Sequence, residues 1–266
     1  MTLLNYIIWN PDPEIFSLGS ISVRWYGLLF ASSFIASYIV LQKILRKEGE
    51  PDDTLDNMLV YTAVGTILGA RIGHCLFYEP EYYLSNPLEI IKIWHGGLAS
   101  HGAGVGILTA IWLFSRQYSK SYLWVLDRLG IVIPLAGAFI RLGNLMNSEI
   151  FGNPTDVPWA FKFTMIDNIP RHPTQIYESI ACVLLFLFLY YRYKKGDLQI
   201  TGKIFGLFMF LLFGIRILVE FFKDVQVDFE KTMMLNMGQL LSIPFVMIGL
   251  FIYFKSIRKE RLKNKS

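Results

Sequence analysis

Seven apolar runs of about twenty residues dominate this chain, and a helix of that length crosses the roughly 30 Å hydrocarbon core of a bilayer. Hydrophobic residues make up 53% of the sequence and charged residues 17%, which is more apolar surface than a soluble core of this size can bury. The sequence therefore predicts an all-α fold, a polytopic membrane bundle of about seven helices. The predicted spans are 21–42, 57–78, 97–115, 123–140, 174–191, 203–222 and 235–254.

The fourth run is the weakest of the seven. It carries Asp127 and Arg128 near its start and Pro134 in its middle, and proline removes a helical hydrogen bond. A bundle of six spans is therefore the alternative.

Basic residues lie mainly in alternate connecting loops, which is the pattern that keeps a loop on the cytoplasmic side. This placement predicts an N-terminus outside and a C-terminus inside, and it attributes the net charge of +4 to topology and not to nucleic-acid binding. We expect one membrane domain over 1–266, with an interfacial arm at 1–20, an outward-facing loop at 141–173 and a basic cytoplasmic tail at 255–266. The loop residues concerned are Lys43, Arg46, Lys47, Arg116, Lys120, Arg192, Lys194, Lys195, Lys255, Arg258, Lys259, Arg261, Lys263 and Lys265.

The residues that commonly bind metals or form disulfides are few. Cys75 and Cys182 both lie in apolar runs, and the four histidines lack the spacing of a zinc site. We therefore expect no disulfide framework, no metal and no cofactor.

Five ionisable residues stand out inside the predicted spans, where a charge costs about 2.5 to 3.5 kcal/mol at mid-depth on insertion scales. Arg216 and Glu220 are four residues apart, so an ion pair on one helix face is their simplest explanation. Arg71 and His74 lie near the end of their span, and snorkelling to the interface is the expectation for both. The fifth is His101.

His101 lies in the glycine-rich stretch WHGGLASHGAGVG at 94–106. Small residues there let other groups come close, although they also serve simple helix packing. A neutral imidazole in lipid needs a hydrogen-bond partner, so we favour a functional role for His101. His95, at the expected membrane boundary, is more simply explained as structural.

The segment RLGNLMNSEIFG at 141–152 gathers polar groups at the outer membrane boundary. If it is helical, Arg141, Asn144 and Ser148 share a face, and the planar guanidinium of arginine fits the phosphate of a lipid headgroup. In PRHPTQIYE at 170–178, Pro173 begins the next helix, and capping explains Thr174 and perhaps Glu178. These patterns favour chemistry on a phospholipid, with a secondary transporter or lipid-binding protein as the alternative.

Six motifs together resemble the bacterial prolipoprotein diacylglyceryl transferase family, and they occur in that family's order over nearly the whole chain. They are RWYG at 24–27, HGGLASHG at 95–102, RLGNLMNSEIFG at 141–152, DVPWA at 156–160, RHPTQIYE at 171–178 and RILVEFF at 216–222.

The resemblance implies a multi-pass protein of the bacterial inner membrane with two partners: phosphatidylglycerol, and prolipoprotein signal peptides that carry a lipobox cysteine. The implied reaction moves the diacylglyceryl group onto the cysteine thiol, forms a thioether and releases glycerol 1-phosphate. This is the first step of bacterial lipoprotein maturation.

Site residues follow from the resemblance combined with their chemistry. The resemblance marks His101 as essential, and its imidazole is our candidate base for the thiol, with Glu149 as the alternative. Arg141 and Arg216 are expected to clamp the phosphate, and Glu220 to orient Arg216. The other residues expected to bind the lipid headgroup are Tyr26, Asn144, Glu149 and Gly152.

Overall fold

The computed structural model describes residues 6–19, 21–92, 97, 99–224 and 233–263, and most of them are helical. Within that part of the chain there are eight α-helices, two short 3₁₀ helices (Pro87–Ile91 and Asp197–Gln199) and five short strands. The helices are α1 (Trp25–Lys47), α2 (Asp53–Phe77), α3 (Pro80–Ser85), α4 (Ser100–Gln117), α5 (Tyr122–Met146), α6 (Thr174–Lys194), α7 (Lys203–Glu220) and α8 (Met237–Lys263).

Each of the seven predicted runs coincides with a helix, so the helical reading of the sequence is confirmed. Five of these helices, α1, α2, α5, α6 and α8, are long and apolar enough to cross a membrane. The other two, α4 and α7, have 18 residues each. α7 is strongly apolar but includes three charged residues, Lys203, Arg216 and Glu220.

Short strands join the N-terminal arm to the segment after α5, so a purely α fold was not the right prediction. The strands are β1 (Tyr6–Trp9), β2 (Glu14–Leu18), β3 (Ile21–Arg24), β4 (Ala160–Phe163) and β5 (Pro170–Arg171). β1 pairs parallel with β4, β4 pairs antiparallel with β5, and β2 forms a hairpin with β3. Such brief strands have too few residues for a period-2 pattern to stand out in a sequence.

A small aromatic core anchors the three-stranded sheet to the end of α5. The Trp9 indole N–H donates a hydrogen bond to the Leu145 carbonyl at 3.0 Å, and Phe161 and Phe163 pack with Leu145 in a buried cluster. The sheet therefore fixes the position of the residues that follow α5.

The chain divides into two compact units, one formed by Met1–Val40 with Leu126–Ser266 and the other by Leu41–Val125. In the second unit α2 and α4 approach closely through glycines. A Cβ atom on Gly69 would lie 2.7 Å from the Gly106 Cα, and one on Gly102 would lie 2.8 Å from the Gly73 Cα. The glycine-rich stretch thus serves helix packing.

Asp127 caps α7 instead of breaking the fourth apolar run. Its fully buried carboxylate accepts hydrogen bonds from the backbone N–H groups of Gly202 (2.6 Å) and Phe205 (2.8 Å). The first turn of a helix has N–H groups without internal partners, and Asp127 satisfies two of them. α5 itself continues through Pro134 to Met146.

Candidate active site

The last turns of α5 carry the first two residues of the predicted site. Arg141 Nη1 donates a hydrogen bond to Asn144 Oδ1 at 3.2 Å, so the predicted shared face of these two residues is confirmed. Because α5 ends at Met146, the predicted loop at 141–173 begins only after that residue. Ser148 lies beyond the helix with φ of 53°, and the prediction that it shares the face is wrong.

Glu149 accepts hydrogen bonds from two side-chain amides. Asn144 Nδ2 lies 2.8 Å from Glu149 Oε1, and Asn147 Nδ2 lies 3.2 Å from the same oxygen. Asn144 is therefore a bridge, because its amide nitrogen holds Glu149 while its amide oxygen holds Arg141. Three of the residues predicted to bind the headgroup are brought together here.

Glu178, on the second turn of α6, is the counter-ion of Arg141. Its Oε2 atom lies 2.7 Å from Arg141 Nε, an ion pair without a directed hydrogen bond to that oxygen. The suggestion that Glu178 caps α6 is therefore wrong. Its side chain is only 7% exposed, so the pair has little contact with solvent.

Lys223 is the residue that sequence reasoning missed. Its side chain is 5% exposed, and its Nζ lies 2.8 Å from Glu178 Oε1 and 3.1 Å from Glu220 Oε2. The spacing of three residues from Glu220 was a signal for one of these contacts. The contact with Glu178 depends on tertiary packing. Glu178 is thus shared between two cations, Arg141 and Lys223.

Arg216 does not form the predicted ion pair with Glu220. Glu220 pairs with Lys223 instead, and Gly238 packs so closely on the Glu220 carboxylate that a Cβ there would clash. Arg216 is exposed, and no carboxylate in the described ranges lies within ion-pair distance of it. Its guanidinium therefore keeps its donors available for an anion.

Tyr26 and Gly152 both lie in packed surroundings in the same unit. The Tyr26 ring packs on α5, where a Cβ on Gly143 would lie 2.8 Å from Tyr26 Cδ2. The Gly152 N–H donates to the His172 carbonyl at 2.9 Å, and a Cβ on Gly152 would lie 2.7 Å from the His172 Cβ. Only glycine fits at this junction without displacing a neighbour.

His101 lies in the other unit, as the second residue of α4, and its side chain is exposed. It borders a groove of about 1150 Å³ formed by α2 and α4, whose other walls include Leu68, Ile72 and Val105. Within the described lining, His101 is the one ionisable side chain apart from the tyrosines. An exposed imidazole at an apolar groove is accessible to a ligand.

Arg71 is a buried scaffold residue, so the prediction that it snorkels is wrong. Its side chain is 3% exposed and donates hydrogen bonds to four backbone carbonyls, those of Glu89, Ile90, Lys92 and Gly97. The Ala99 N–H also donates to the Ala70 carbonyl at 2.9 Å. These contacts tie α2 to described residues that precede α4 and His101 in the chain.

The companion of Arg71, His74, is half-buried and stacks on Tyr78 with ring centroids 5.4 Å apart. The interpretation of His95 lies outside the described residues.

An ion pair holds together the β4–β5 turn outside the membrane spans. Arg171 Nη2 lies 2.7 Å from Asp167 Oδ2, and Arg171 Nη1 lies 2.7 Å from Asp224 Oδ2. The hydrogen bond from Arg171 lowers the pKa of Asp167, and burial lowers the pKa of His172.

No group of three His, Cys, Asp or Glu residues in the described ranges is arranged to hold a metal.

A family model described as prolipoprotein diacylglyceryl transferase matches residues 13–255. The chain belongs to the prolipoprotein diacylglyceryl transferase family. It is 48% identical to a Tolumonas auensis protein over 96% of this chain and 99% of that one, and 47% identical to a Chloroherpeton thalassium protein over the full length of both. A Nitrosomonas europaea protein is 38% identical over 96% of this chain and 93% of its own length. All three relatives are called phosphatidylglycerol–prolipoprotein diacylglyceryl transferase.

In this member of the prolipoprotein diacylglyceryl transferase family, the unused donors of Arg141 suit the binding of an anion. The side chain of Arg141 is 24% exposed, and its Nη2 group has no hydrogen-bond partner among the described residues. Glu178 pairs with both Arg141 and Lys223, and Lys223 also pairs with Glu220, so this cluster balances two cations with two carboxylates. Arg141 therefore keeps hydrogen-bond donors available for a phosphate.

Proposed function

We propose that this chain transfers the diacylglyceryl group of phosphatidylglycerol to the lipobox cysteine thiol of a prolipoprotein. The family and the names of the relatives support this reaction. The observation that carries it is the Arg141 site, a half-buried guanidinium with unused donors. In the reaction the cysteine sulfur forms a bond to the glyceryl carbon as the bond from that carbon to the phosphate oxygen breaks. The products are a thioether and glycerol 1-phosphate.

Arg141 has the task of stabilising the leaving phosphate. Negative charge accumulates on the phosphate oxygen as the carbon–oxygen bond breaks, and fixed donors in a site of low dielectric stabilise that charge better than water does. Asn144 and Glu178 hold the guanidinium from two sides, so it needs little reorganisation during the reaction. Arg216, exposed and without a described counter-ion, is the proposed second cation of the phosphate clamp.

The thiol must lose a proton before or during the attack. A free cysteine has a pKa of about 8.5, so only a few per cent is thiolate at neutral pH. His101 is the proposed base, because its imidazole is exposed beside the apolar groove. Glu149 is the alternative, a carboxylate fixed by two amides.

Headgroup binding is the proposed task of the remaining residues. Asn144 and Glu149 already hold each other, and their outer lone pairs and amide protons suit the hydroxyls of a glycerol headgroup. Tyr26 offers a phenolic hydroxyl from α1, and Gly152 lets the backbone come close to a ligand.

We further propose that α4 and α7 cross the inner membrane together with the other five long helices. The chain then crosses the membrane seven times, with the N-terminus outside and the C-terminus in the cytoplasm, as the basic residues in the loops indicate. Reporter fusions after Lys263 test this topology. Activity of a cytoplasmic reporter supports it, whereas activity of an export-dependent reporter contradicts it.

The decisive experiment for the function is mass spectrometry of a lipobox peptide incubated with the purified protein and phosphatidylglycerol. We expect the added mass of a diacylglyceryl group on the cysteine, and none on a matched peptide with serine in its place. An unmodified thiol, in the presence of folded protein that has bound the lipid, would instead favour the lipid-binding or transport alternative.

A further inference from the structure

The first two turns of α6 present a polar face to α5 and to the turn that follows it. Four buried side chains form this face: Thr174, Gln175, Glu178 and Ser179. They contact α5 and its continuation in reverse chain order, at Ile150, Glu149, Arg141 and Ala138 respectively. The sequence TQIYES therefore does more than begin a helix.

The turn that this face contacts has an unfavourable backbone. Ser148 and Ile150 have φ values of 53° and 58°, in the left-handed region that residues other than glycine rarely adopt. For a β-branched residue such as Ile150 the penalty is larger, so both conformations need support from neighbouring groups to persist. These two residues flank Glu149, so the unfavourable backbone lies where the predicted site carboxylate is displayed.

Two hydrogen bonds from α6 hold the turn in this conformation. Gln175 Nε2 donates to the Glu149 carbonyl at 2.7 Å, and Thr174 Oγ1 donates to the Ile150 carbonyl at 3.0 Å. From the other side, the Glu149 N–H donates to the Asn144 carbonyl at 3.0 Å. Glu149 is thus held by its backbone at both ends and by its carboxylate.

The burial of Gln175 at this position is energetically unfavourable. It is 0% exposed, and its Oε1 has no hydrogen-bond partner among the described residues. A buried polar atom without a partner destabilises the fold, so an apolar residue of the same length would suit packing alone. The donor on Nε2 is what distinguishes glutamine from such a residue.

We propose that Gln175 and Thr174 are positioning residues for the transfer reaction. They fix the Ser148–Ile150 turn and so hold the Glu149 carboxylate against Asn144, which in turn orients the Arg141 guanidinium. Neither residue needs to touch the lipid. This inference deepens the proposed function and rests on it.

Two substitutions test the role with little change in volume. Gln175→Met removes the Nε2 donor together with the unpartnered Oε1, and Thr174→Val removes the Oγ1 donor. Thr174→Ser keeps the hydroxyl and serves as the rescue variant. Ser256→Ala is the matched control, because the buried Ser256 hydroxyl bonds only within α8, to the Tyr253 carbonyl.

The measurements are kcat and KM for phosphatidylglycerol with a lipobox peptide, together with the thermal unfolding midpoint of each purified variant. Misplacement of site groups by about 1 Å lowers rates by about 100-fold. We therefore expect kcat to fall by about 10- to 100-fold in Gln175→Met and Thr174→Val with a smaller change in KM. Thr174→Ser and Ser256→Ala are expected to stay within about threefold of the unsubstituted protein.

A kcat per folded molecule that is unchanged in both Gln175→Met and Thr174→Val would overturn the positioning role. If Gln175→Met is not recovered folded, the comparison of Thr174→Val with Thr174→Ser decides the question by the same criterion. Absence of transfer by the unsubstituted protein would remove the proposed function as well, so the two failures are distinguishable.

Discussion

At the scale of single residues, the central feature is that Arg141 shares its counter-ion. Glu178 contacts Arg141 through one oxygen and Lys223 through the other, and Lys223 also contacts Glu220. A buried charge that lost its partner would be costly, so each member of this chain of contacts depends on its neighbours. Arg141 then faces the site with one ion pair and unused donors.

The first prediction concerns the shape of the Arg141 cation. Arg141→Lys keeps the charge, but an ammonium cannot make the two parallel hydrogen bonds of a guanidinium to phosphate. We expect the transfer rate to fall by at least about 100-fold, measured as thioether formed per minute. Near-normal transfer by Arg141→Lys would exclude the clamp.

A matched control is Arg116→Lys. Arg116 lies in the last turn of α4, with its guanidinium carbon 5.3 Å from the Trp112 ring centroid. We expect this variant to keep its activity.

The second prediction concerns His101 as the base. His101→Gln keeps a polar side chain of similar size but has no group that takes up a proton near neutral pH. The loss of rate is expected to be largest near neutral pH and to shrink as the pH rises above about 8.5, where the thiol ionises by itself. The pH profiles of the two proteins, measured with saturating lipid, check this. A loss that is the same at every pH would remove His101 from the role of base.

A side-chain contact could be predicted from the sequence only when both residues lie on the same element. Arg141 and Asn144 are three residues apart on one helix, so their contact followed from spacing alone. Glu178 and Lys223 come from other elements, and a spacing argument has no access to such partners. The predicted pair of Arg216 with Glu220 failed for a different reason, because Lys223, only three residues from Glu220, pairs with it instead.

At the scale of elements, the close contact of α2 with α4 depends on glycines, which have no side chain to keep the helices apart. Gly65, Gly69 and Gly73 on α2 face Gly102 and Gly106 on α4 with their backbones in contact. In lipid, close packing of this kind is a main source of helix association. The sequence pattern predicted the close approach, whereas the identity of the partner helix required the structure.

The third prediction compares two glycines of α4 that are two residues apart. A Cβ on Gly102 would lie 2.8 Å from the Gly73 Cα, whereas a Cβ on Gly104 would have no heavy atom within 4 Å. We expect Gly102→Ala to lower the free energy of unfolding by about 1 to 3 kcal/mol through overpacking. Gly104→Ala, the matched control, is expected to leave it unchanged or slightly higher. Equal stability of the two variants in detergent unfolding experiments would contradict this packing.

The β4–β5 turn is stabilised by the ion pairs of a single arginine, Arg171. Arg171 joins Asp167 of the turn to Asp224, which follows α7. Prolines and short strands gave the sequence little periodicity here, so neither the turn nor the ion pair was predicted.

The fourth prediction is a pH dependence that Asp167 causes. Because Arg171 lowers the pKa of Asp167 in the folded state, the ion pair stabilises the fold fully above the unfolded pKa of about 3.9. The stabilisation is lost as the pH falls through the lower, folded pKa. Thermal midpoints of the unsubstituted protein and of Asp167→Asn should therefore differ at pH 6 and converge near pH 2. A difference that is independent of pH would show that the carboxylate charge is not responsible.

At the scale of the whole molecule, length and apolarity predicted every long helix. Seven apolar runs became seven helices with ends shifted by up to nine residues, because burial in lipid requires a helix wherever the chain is apolar for long enough. The strands of the arm and the division into two compact units were not predicted. Both depend on contacts between distant parts of the chain, such as that of Trp9 with Leu145.

At this scale the proposed function couples the formation of a sulfur–carbon bond to the breaking of a carbon–oxygen bond. The ratio of the two products is the most direct measurement of this coupling. The purified protein is incubated with a lipobox peptide and phosphatidylglycerol, and thioether and glycerol 1-phosphate are quantified in the same samples over time. We expect the two products to rise together in a one-to-one ratio, and the rates of formation of both to fall together in Arg141→Lys. Glycerol 1-phosphate released without thioether, or a thiol that stays unmodified while lipid is bound, would contradict it.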